Sequence, residues 1–439
     1  MNVSEVNQNM AIPQRLPANG SDRFNYMVSY LSDCQLQMVL EMDGHVNQQR
    51  LLQAMEASTV AEPVIGCRFI KDSVRPYWER RSDLASSGWC SLQLLSESDS
   101  EEKAIQEWLS SPMDIDADAM VKIRILRTSG RDIICIKLNH LCSDGAGLIE
   151  YVHLLASLYS ELAKNPRYVP KSNPDGRDQS RLFKVMGIPN GGMPQAPEPQ
   201  GPALPFTPGE PAIRRQAIRR IPREEWLELA QGFKQKGFTV NDVLLAAYMR
   251  ALYQQMENVP AEQVKVMVTV NVRKFLPTGK ADAIYNLSGV VHATMNQATT
   301  GTFADKVKEV AEFMKNQRDN KEILHDAVNT FAFVENFEFD QTLKIIQDVR
   351  KQIVADGKST PILSNFGMIS TSQITFDEVK VAGAYIVSPA YYAPGLMLGV
   401  STYQDCITLN ISFFESNTVN GLIEKLLDAM IEEIKSYRE

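Results

Sequence analysis

Hydrophobic residues along the chain change repeatedly between a spacing of two and a spacing of three or four. Apolar and polar residues alternate over 36–42, which predicts a strand with one buried face, and a helical spacing follows at 51–55. The same spacings recur and indicate strands at 65–69, 121–125 and 134–138, and helices around 105–109 and 148–158. Strands and helices that mix in this way predict an α/β fold with mixed sheets.

The pattern stops between Pro166 and Pro211, where eleven of the 22 prolines of the chain lie. Proline removes a backbone donor and fixes φ, so this stretch predicts a linker rather than a regular element. A short helix is expected inside it, over 179–187. We therefore predict an N-terminal half at 1–165, a linker at 166–212 and a C-terminal half at 213–439.

The C-terminal half resembles the first half in make-up. Thr239 and Asp242 form a capping-box signature at the start of a helix. Alternating valines over 264–272 predict a strand that ends at Arg273. Further elements are expected in the form of helices at 303–318, 343–353 and 422–434 and a hairpin that turns at Gln404 and Asp405. Two similar halves joined by one linker predict a pseudo-dimer with a cleft between its halves.

The composition excludes several classes of function. With 44% apolar and 22% charged residues and a formal net charge of -8, the 439-residue chain has the make-up of a globular protein without a basic nucleic-acid surface. No apolar run approaches the roughly 18 residues that span a bilayer. The first residues lack the pattern of a secretory signal. Six cysteines without a CxxC pair predict a reduced, cytoplasmic protein with neither disulfides nor a zinc site.

Five histidines are the first place to look for chemistry, and none has the spacing of a metal site. Four of them read as ordinary surface or core residues, namely His45, His153, His292 and His325. His140 differs because it ends the apolar strand at 134–138 and stands beside a glycine-bearing loop. A neutral imidazole at a rigid strand end can accept a proton near pH 7.

Residues after His140 also have a purely structural interpretation. Asp144 is a preferred N-cap for the helix that follows, and Gly145 and Gly147 allow a tight turn. Neither explanation accounts for a polar histidine at the end of an apolar strand.

The segment from His140 to Gly145, "HLCSDG", resembles the H-x-x-x-D-G motif of one acyltransferase superfamily. This superfamily includes chloramphenicol acetyltransferase, the condensation domains of peptide synthetases, plant BAHD acyltransferases and microbial alcohol acyltransferases. The stretches "TVNDVLLAAYMRAL", "VTVNVRKFLP" and "LSNFGMIS" are similar to further segments of these enzymes. The resemblance therefore covers nearly the whole chain, and the proline-rich linker is its weakest part.

The sequence differs from two branches of this superfamily at positions of their motifs. Condensation domains usually carry two histidines in tandem, whereas Asn139 occupies the first position here. Plant BAHD enzymes carry D-F-G-W-G, and the nearest match is Ser364-Asn365-Phe366-Gly367. We expect no attached adenylation or carrier domain. The chain is therefore most similar in style to stand-alone alcohol acetyltransferases.

The resemblance implies two chloramphenicol-acetyltransferase-like sandwich halves around a central tunnel, with His140 as general base. It also implies that Asp144 pairs with Arg273 to hold the loop, and that Gly145 keeps the tunnel open for the pantetheine arm of the donor. Acyl-CoA would be a cosubstrate, an alcohol or amine the acceptor, and no permanent cofactor or metal is expected. Three residues are candidates for an oxyanion or tunnel role, with strand capping as the alternative: Ser364, Asn365 and Gly367.

Two other functions remain open at this point. A free-standing condensation enzyme would take acyl groups from an acyl carrier protein, and a catalytically silent homologue would keep the fold as a binding module. The densest basic cluster is interpreted as a solvated face rather than a nucleotide site; it comprises Arg214, Arg215, Arg219, Arg220 and Arg223.

Overall fold

A computed structural model of the chain describes residues 12–179, 184, 200–256, 263–296, 301–318 and 320–437. The strands are β1 (Arg15–Pro17), β2 (Gln35–Met42), β3 (Cys67–Ile70), β4 (Tyr77–Arg80), β5 (Cys90–Leu94), β6 (Val121–Arg127), β7 (Asp132–Asn139), β8 (Arg214–Ile221), β9 (Gln263–Asn271), β10 (Ser288–Asn296), β11 (Ile362–Met368), β12 (Thr375–Phe376), β13 (Val379–Val387), β14 (Met397–Tyr403) and β15 (Cys406–Phe414). The helices are α1 (Gly20–Val28), α2 (Gln48–Ala61), α3 (Glu101–Ser110), α4 (Gly145–Lys164), α5 (Arg223–Gln235), α6 (Val240–Gln255), α7 (Phe303–Arg318), α8 (Glu322–Asn336), α9 (Phe339–Asp356) and α10 (Leu422–Ser436).

The first six-stranded sheet has the order β12-β13-β2-β7-β6-β5. Side chains alternate along a strand, and both faces of β7 are covered. Ile134, Ile136 and Leu138 join the core that contains residues of α2 and α4. Ile133 and Cys135 join a smaller cluster with residues of α3 on the opposite face. Because β7 is central and buried on both faces, its end is a fixed platform for the residues that follow.

The second six-stranded sheet has the order β10-β9-β11-β14-β15-β8. Its core contains buried residues of α6, α7 and α10. β11 lies in the middle and runs parallel to both neighbours, β9 and β14. A register irregularity falls between Asn365 and Met368, in the stretch that the sequence singled out.

Strands from both sides of the linker share the first sheet. β13 pairs antiparallel with β2, so that Ala384 lies opposite Leu40 and Tyr385 opposite Val39. The mixed-sheet α/β class predicted from the sequence is confirmed. The boundaries at 165 and 212 remain a prediction, and the two halves are interlocked through this shared sheet.

Most predicted elements are present, with informative exceptions. The capping box at Thr239 and Asp242 forms as expected, and the hairpin turns at Gln404 and Asp405. The sequence missed three helices, α1, α5 and α8. The valine-rich strand ends at Asn271, so Arg273 lies in a short 3₁₀ turn instead of at the strand end. Most of the short helix expected at 179–187 lies outside the described residues. Among the described helices, none is long and apolar enough to cross a membrane.

Candidate active site

His140 lies one residue beyond β7, at the start of a loop that ends at Asp144. Its main-chain N–H donates to the carbonyl of Cys34 at 2.8 Å. The residue is partly exposed, yet its ring Nδ1 is buried and has no hydrogen-bond partner among the described residues. Burial lowers the pKa of His140, while its own carbonyl, Asp144 and Asn286 act in the opposite direction. The imidazole is therefore neutral near pH 7, which is the form that accepts a proton.

Asp144 has both roles that the sequence suggested. It is the N-cap of α4, and its Oδ1 accepts a hydrogen bond from the Gly147 N–H at 2.9 Å. Its Oδ2 accepts from Arg273 at 2.9 Å, from the Leu287 N–H at 2.8 Å and from the Ser288 hydroxyl at 3.0 Å. Three of the four donors come from the C-terminal half, so the carboxylate joins the two halves beside His140.

The ion pair between Asp144 and Arg273 is deeply buried. The side chains of Arg273 and Asp144 are 2% and 4% exposed. Burial alone raises the pKa of Asp144, but the Arg273 charge and the hydrogen bonds outweigh it and hold the pKa below the ordinary aspartate value. Arg273 also donates to the carbonyl of Tyr285 at 2.7 Å, and its Nε lies 3.4 Å from Glu150. The pairing expected from the sequence is therefore present.

Burial also changes the acidity of Glu150, the second acid beside Arg273. Desolvation raises the pKa of Glu150 to about 7, although the Arg273 charge opposes this shift. Arg273 is thus shared between one fully ionised carboxylate and one that titrates near neutrality. Its primary partner at neutral pH is Asp144.

Two further residues hold the His140 loop, and sequence reasoning missed both. Asn286 donates from its side-chain amide to the carbonyls of His140 and Leu141. Arg177 donates to the carbonyl of Cys142 at 3.1 Å and pairs with the buried carboxylate of Asp22. Arg177 stands in the stretch assigned to the linker, where a lone arginine gives no sign of burial. Asn286 stands in a loop before β10 and has no motif of its own.

The oxyanion candidates on β11 make hydrogen bonds within the C-terminal half. Ser364 accepts a hydrogen bond from the Thr269 hydroxyl at 2.9 Å. Asn365 donates to the side chain of Asn241 at 2.6 Å and accepts from the Gly367 N–H at 2.9 Å. Gly367 has a φ of 79°, a conformation that favours glycine. Among the described residues, none of these side chains hydrogen-bonds to His140.

Gly145 brings β11 against the His140 loop, but in a way that the sequence did not predict. A Cβ atom at Gly145 would lie 2.5 Å from Cε1 of Phe366 and closer still to its Cδ1. The phenyl ring thus packs directly on the glycine. The tunnel role expected of Gly145 stays a prediction, and in this structure the Phe366 ring occupies the space that the missing side chain leaves.

Comparisons with known proteins agree with this architecture. Residues 24–175 match the family model described as Condensation domain, and this stretch contains β7, His140 and Asp144. The solved trichothecene 15-O-acetyltransferase from Fusarium sporotrichioides matches with a TM-score of 0.72 at 14% identity, covering 96% of this chain and 95% of that chain. The chain has the condensation-domain fold. The superfamily resemblance predicted from the sequence is therefore confirmed for the fold.

Other structures of the condensation-domain fold match over similar lengths. The first condensation domain of the calcium-dependent antibiotic synthetase, in complex with a substrate analogue, has a TM-score of 0.67 at 15% identity, covering 96% of this chain and 95% of that chain. Polyketide synthase associated protein 5 from Mycobacterium tuberculosis has a TM-score of 0.65 at 13% identity, with 96% and 100% covered. A search of curated protein sequences finds no match. At these identities the solved structures establish the fold alone.

A cavity with both polar and apolar walls lies in the C-terminal half of this condensation fold, next to β11. Its volume is about 560 Å³, and it is bordered by the start of α6, by β9 and by Asn365. Four side-chain amides line it, those of Asn241, Asn271, Gln317 and Asn365. Asn271 also accepts a hydrogen bond from the Arg273 main chain at 3.1 Å. The cavity is therefore connected to the ion pair behind His140 through one residue.

The basic cluster at 214–223 lies on the surface, as expected of a solvated face, apart from one arginine. Arg215, Arg219 and Arg220 each pair with an acidic residue on a partly or fully exposed surface. Arg214 is instead buried and pairs with Asp33. Among the described residues, no group of acidic, histidine or cysteine side chains has the arrangement of a metal site.

We expect Gly145→Ala to destabilise the fold by about 1–3 kcal/mol, because the added methyl group displaces the Phe366 ring. Thermal or denaturant unfolding measures the effect. Gly130→Ala serves as the matched control, since a Cβ there meets nothing within 4 Å. Adding Phe366→Ala to Gly145→Ala should recover part of the loss. If Gly145→Ala unfolds like the Gly130 control, the close packing of Phe366 does not exist in solution.

Proposed function

We propose that the chain is an acyltransferase that moves an acyl group from a coenzyme A thioester to an alcohol or amine, with His140 as general base. The observation that carries the proposal is a neutral imidazole at the end of a buried strand, on a loop held by the buried Asp144–Arg273 pair. The condensation-domain match over 24–175 supports acyl transfer as the class of reaction.

The reaction assigned to His140 begins with proton removal. Nδ1 is buried, so Nε2 is the ring nitrogen that we assign to the acceptor. Nε2 takes the proton of the acceptor hydroxyl or amine while the acceptor atom attacks the thioester carbonyl carbon. The tetrahedral intermediate collapses with cleavage of the C–S bond, and the imidazolium returns its proton to the leaving thiolate. The products are an ester or amide and a free thiol. A base so placed contributes roughly a hundred- to ten-thousand-fold in rate.

The negative charge of the intermediate needs a hydrogen-bond donor, and Ser364 is our first candidate. Its oxygen accepts from Thr269, so its own hydroxyl hydrogen can point elsewhere. The side-chain amide of Asn365 is the second candidate, although one of its N–H groups is held by Asn241. Loss of one such donor typically costs about 3 kcal/mol of transition-state stabilisation.

We assign the amide-lined cavity beside Asn365 to the acyl donor. Its volume of about 560 Å³ lies within the range of small-molecule sites. A pantetheine arm carries two amides of its own, which the side chains of Asn241, Asn271 and Asn365 can meet with donors and acceptors. The ring of Phe366, a residue of β11, packs on Gly145. The ring must therefore be accommodated or displaced when the thioester reaches His140.

A second candidate function is condensation with a carrier-protein thioester. The family model that matches residues 24–175 favours it. Asn139, in place of the first histidine of the tandem pair, argues for the free thioester. The two candidates share His140 and differ in what delivers the acyl group.

The test is thiol release from acetyl-CoA and longer acyl-CoAs, offered with pooled alcohols and amines. We expect acceptor-dependent release of free thiol from at least one acyl-CoA, together with the ester or amide by mass spectrometry. The same acyl groups on an acyl carrier protein run beside them. Reaction only with carrier-bound groups would favour the condensation enzyme instead.

Each arm of this assay needs a His140→Ala control. A thiol release that persists in that variant is not the proposed reaction. If the intact chain turns over neither CoA nor carrier-protein thioesters, the acyltransferase proposal fails and the binding-module alternative takes its place.

A further inference from the structure

The side chain of Asn286 contacts the main chain of the His140 loop. Asn286 is buried, and its Nδ2 donates to the carbonyl oxygen of His140 at 3.1 Å and to that of Leu141 at 3.2 Å. A carboxamide nitrogen has two N–H donors, and these two carbonyls use both. The main chain that carries the imidazole is therefore fixed by a side chain of the C-terminal half.

The residues on either side of Asn286 are fixed as well. The carbonyl of Tyr285 accepts from Arg273 at 2.7 Å, and the N–H of Leu287 donates to Asp144 at 2.8 Å. Both contacts belong to the buried ion pair. The Asn286 side chain is consequently held on a rigid segment, which is what precise orientation of a catalytic group requires.

Two buried polar atoms near this contact are without partners. Oδ1 of Asn286 and Nδ1 of His140 each lack a hydrogen bond of normal geometry among the described residues. The His140 ring is nevertheless close enough to its own carbonyl and to the Asn286 side chain for both to raise its pKa. Buried polar atoms rarely stay unpaired, and these two are an acceptor and a ring nitrogen that carries hydrogen in the imidazolium. Asn286 also acts on the imidazole in the direction that favours its protonated form.

We propose that Asn286 is a positioning residue for His140: Nδ2 fixes the loop, and Oδ1 receives the Nδ1–H of the imidazolium during acyl transfer. This inference rests on the proposed role of His140 as base. Nε2 stays directed at the acceptor because the opposite side of the ring is held. The charge that His140 gains from the acceptor proton is stabilised by the carboxamide oxygen.

Three substitutions separate this role from simple packing. Asn286→Ala removes both the donors and the acceptor. Asn286→Asp keeps the shape and the acceptor but removes the donors and adds a negative charge. Asn286→Gln keeps the carboxamide but places it one methylene group farther from the main chain. Asn417→Ala is the matched control, because Asn417 is buried and its Nδ2 donates to two carbonyls far from the site, those of Thr207 and Gly209.

The first readout is the pKa of His140 itself, followed by NMR in protein labelled at histidine and assigned with His140→Ala. We expect Asn286→Ala to lower the pKa of His140 and Asn286→Asp to raise it. The Asn417 control should leave it unchanged. A residue that only packs would not shift the pKa in opposite directions in these two variants.

The second readout is steady-state kinetics of acyl transfer. We expect Asn286→Ala to lower kcat by about tenfold to a hundredfold with KM nearly unchanged, because a misplaced base affects the chemical step. The acidic limb of the kcat/KM profile should move with the pKa measured by NMR. Asn286→Gln should recover part of the kcat.

These measurements separate failure of the Asn286 inference from failure of the proposed function. If His140→Ala keeps its activity, the base assignment fails, while the NMR titration still decides whether Asn286 acts on His140. If the pKa of His140 is the same in wild type, Asn286→Ala and Asn286→Asp, the inference is overturned whatever the activity. If one variant does not fold, the other still gives a direction that agrees or disagrees with the expected shift.

Discussion

His140→Ala should lower acyl transfer by about a hundred- to ten-thousand-fold and leave the fold intact. His140 is partly exposed at the end of β7 and is not part of the apolar core, so its truncation removes the base without removing a core side chain. The loop main chain keeps its hydrogen bonds to Cys34, Asn286 and Arg177. The loss of activity is measured as turnover of the best acyl-CoA and acceptor pair. Circular dichroism and unfolding of the same samples show whether the fold is intact.

His153→Ala is the control for this prediction. His153 lies on α4, outside the loop, and its removal should leave the rate within about twofold of wild type, as surface and non-catalytic substitutions usually do. Near-normal turnover in His140→Ala would remove His140 from the mechanism. Since burial lowers the pKa of His140, the acidic limb of the wild-type profile should lie below the ordinary histidine value of 6.5.

Breaking the Asp144–Arg273 pair should have the second large effect. Removal of either partner leaves an uncompensated buried charge, which costs roughly 3–5 kcal/mol. Asp144→Asn and Arg273→Met should each lower stability and acyl transfer together, because the pair holds the His140 loop. Denaturant unfolding of both single variants and the double variant completes the cycle. We expect a coupling of about 1–3 kcal/mol, as for residues in direct contact.

The exposed pair Arg219–Asp428 gives the reference for a surface ion pair, expected at about 0–1 kcal/mol. Additive effects of Asp144→Asn and Arg273→Met would mean that the pair does not form in solution. Acid provides a second check. The pKa of Asp144 is depressed in the folded protein, so its contribution is complete above 3.8 and is lost as pH falls through the folded value. Asp144→Asn should therefore show less acid destabilisation than wild type.

Strand β7, helix α4 and the partner of Asp144 were each predicted from the sequence, but on different grounds. The apolar period of two located β7, and helical spacing located α4. Arg273 came from the family resemblance alone, because no local pattern relates residues 129 positions apart. Phe366 and Asn286 were out of reach, since their contacts with Gly145 and with the His140 carbonyls arise only when the two halves pack together.

Arg177 shows why the contacts of the linker with the two halves were not predicted. Proline content correctly indicated a lack of regular structure, but it does not report what the non-proline residues contact. Arg177 supplies donors to Cys142 and Ile284, one from each half. A single arginine between glycine and aspartate gives no local signal of such burial. Its role depends on Asp22, which lies 155 positions earlier.

The shared first sheet has a consequence for any attempt to study the N-terminal half alone. Without β12 and β13, strand β2 would keep β7 on one side but lose its neighbour on the other, and it would present a row of unpaired amide and carbonyl groups. The side chains of β2 are almost all apolar or buried. An open apolar margin of this kind is a template for pairing with other chains. A fragment that stops before Thr375 is therefore expected to self-associate, and cutting the chain at its linker would give an aggregating piece rather than a separable module.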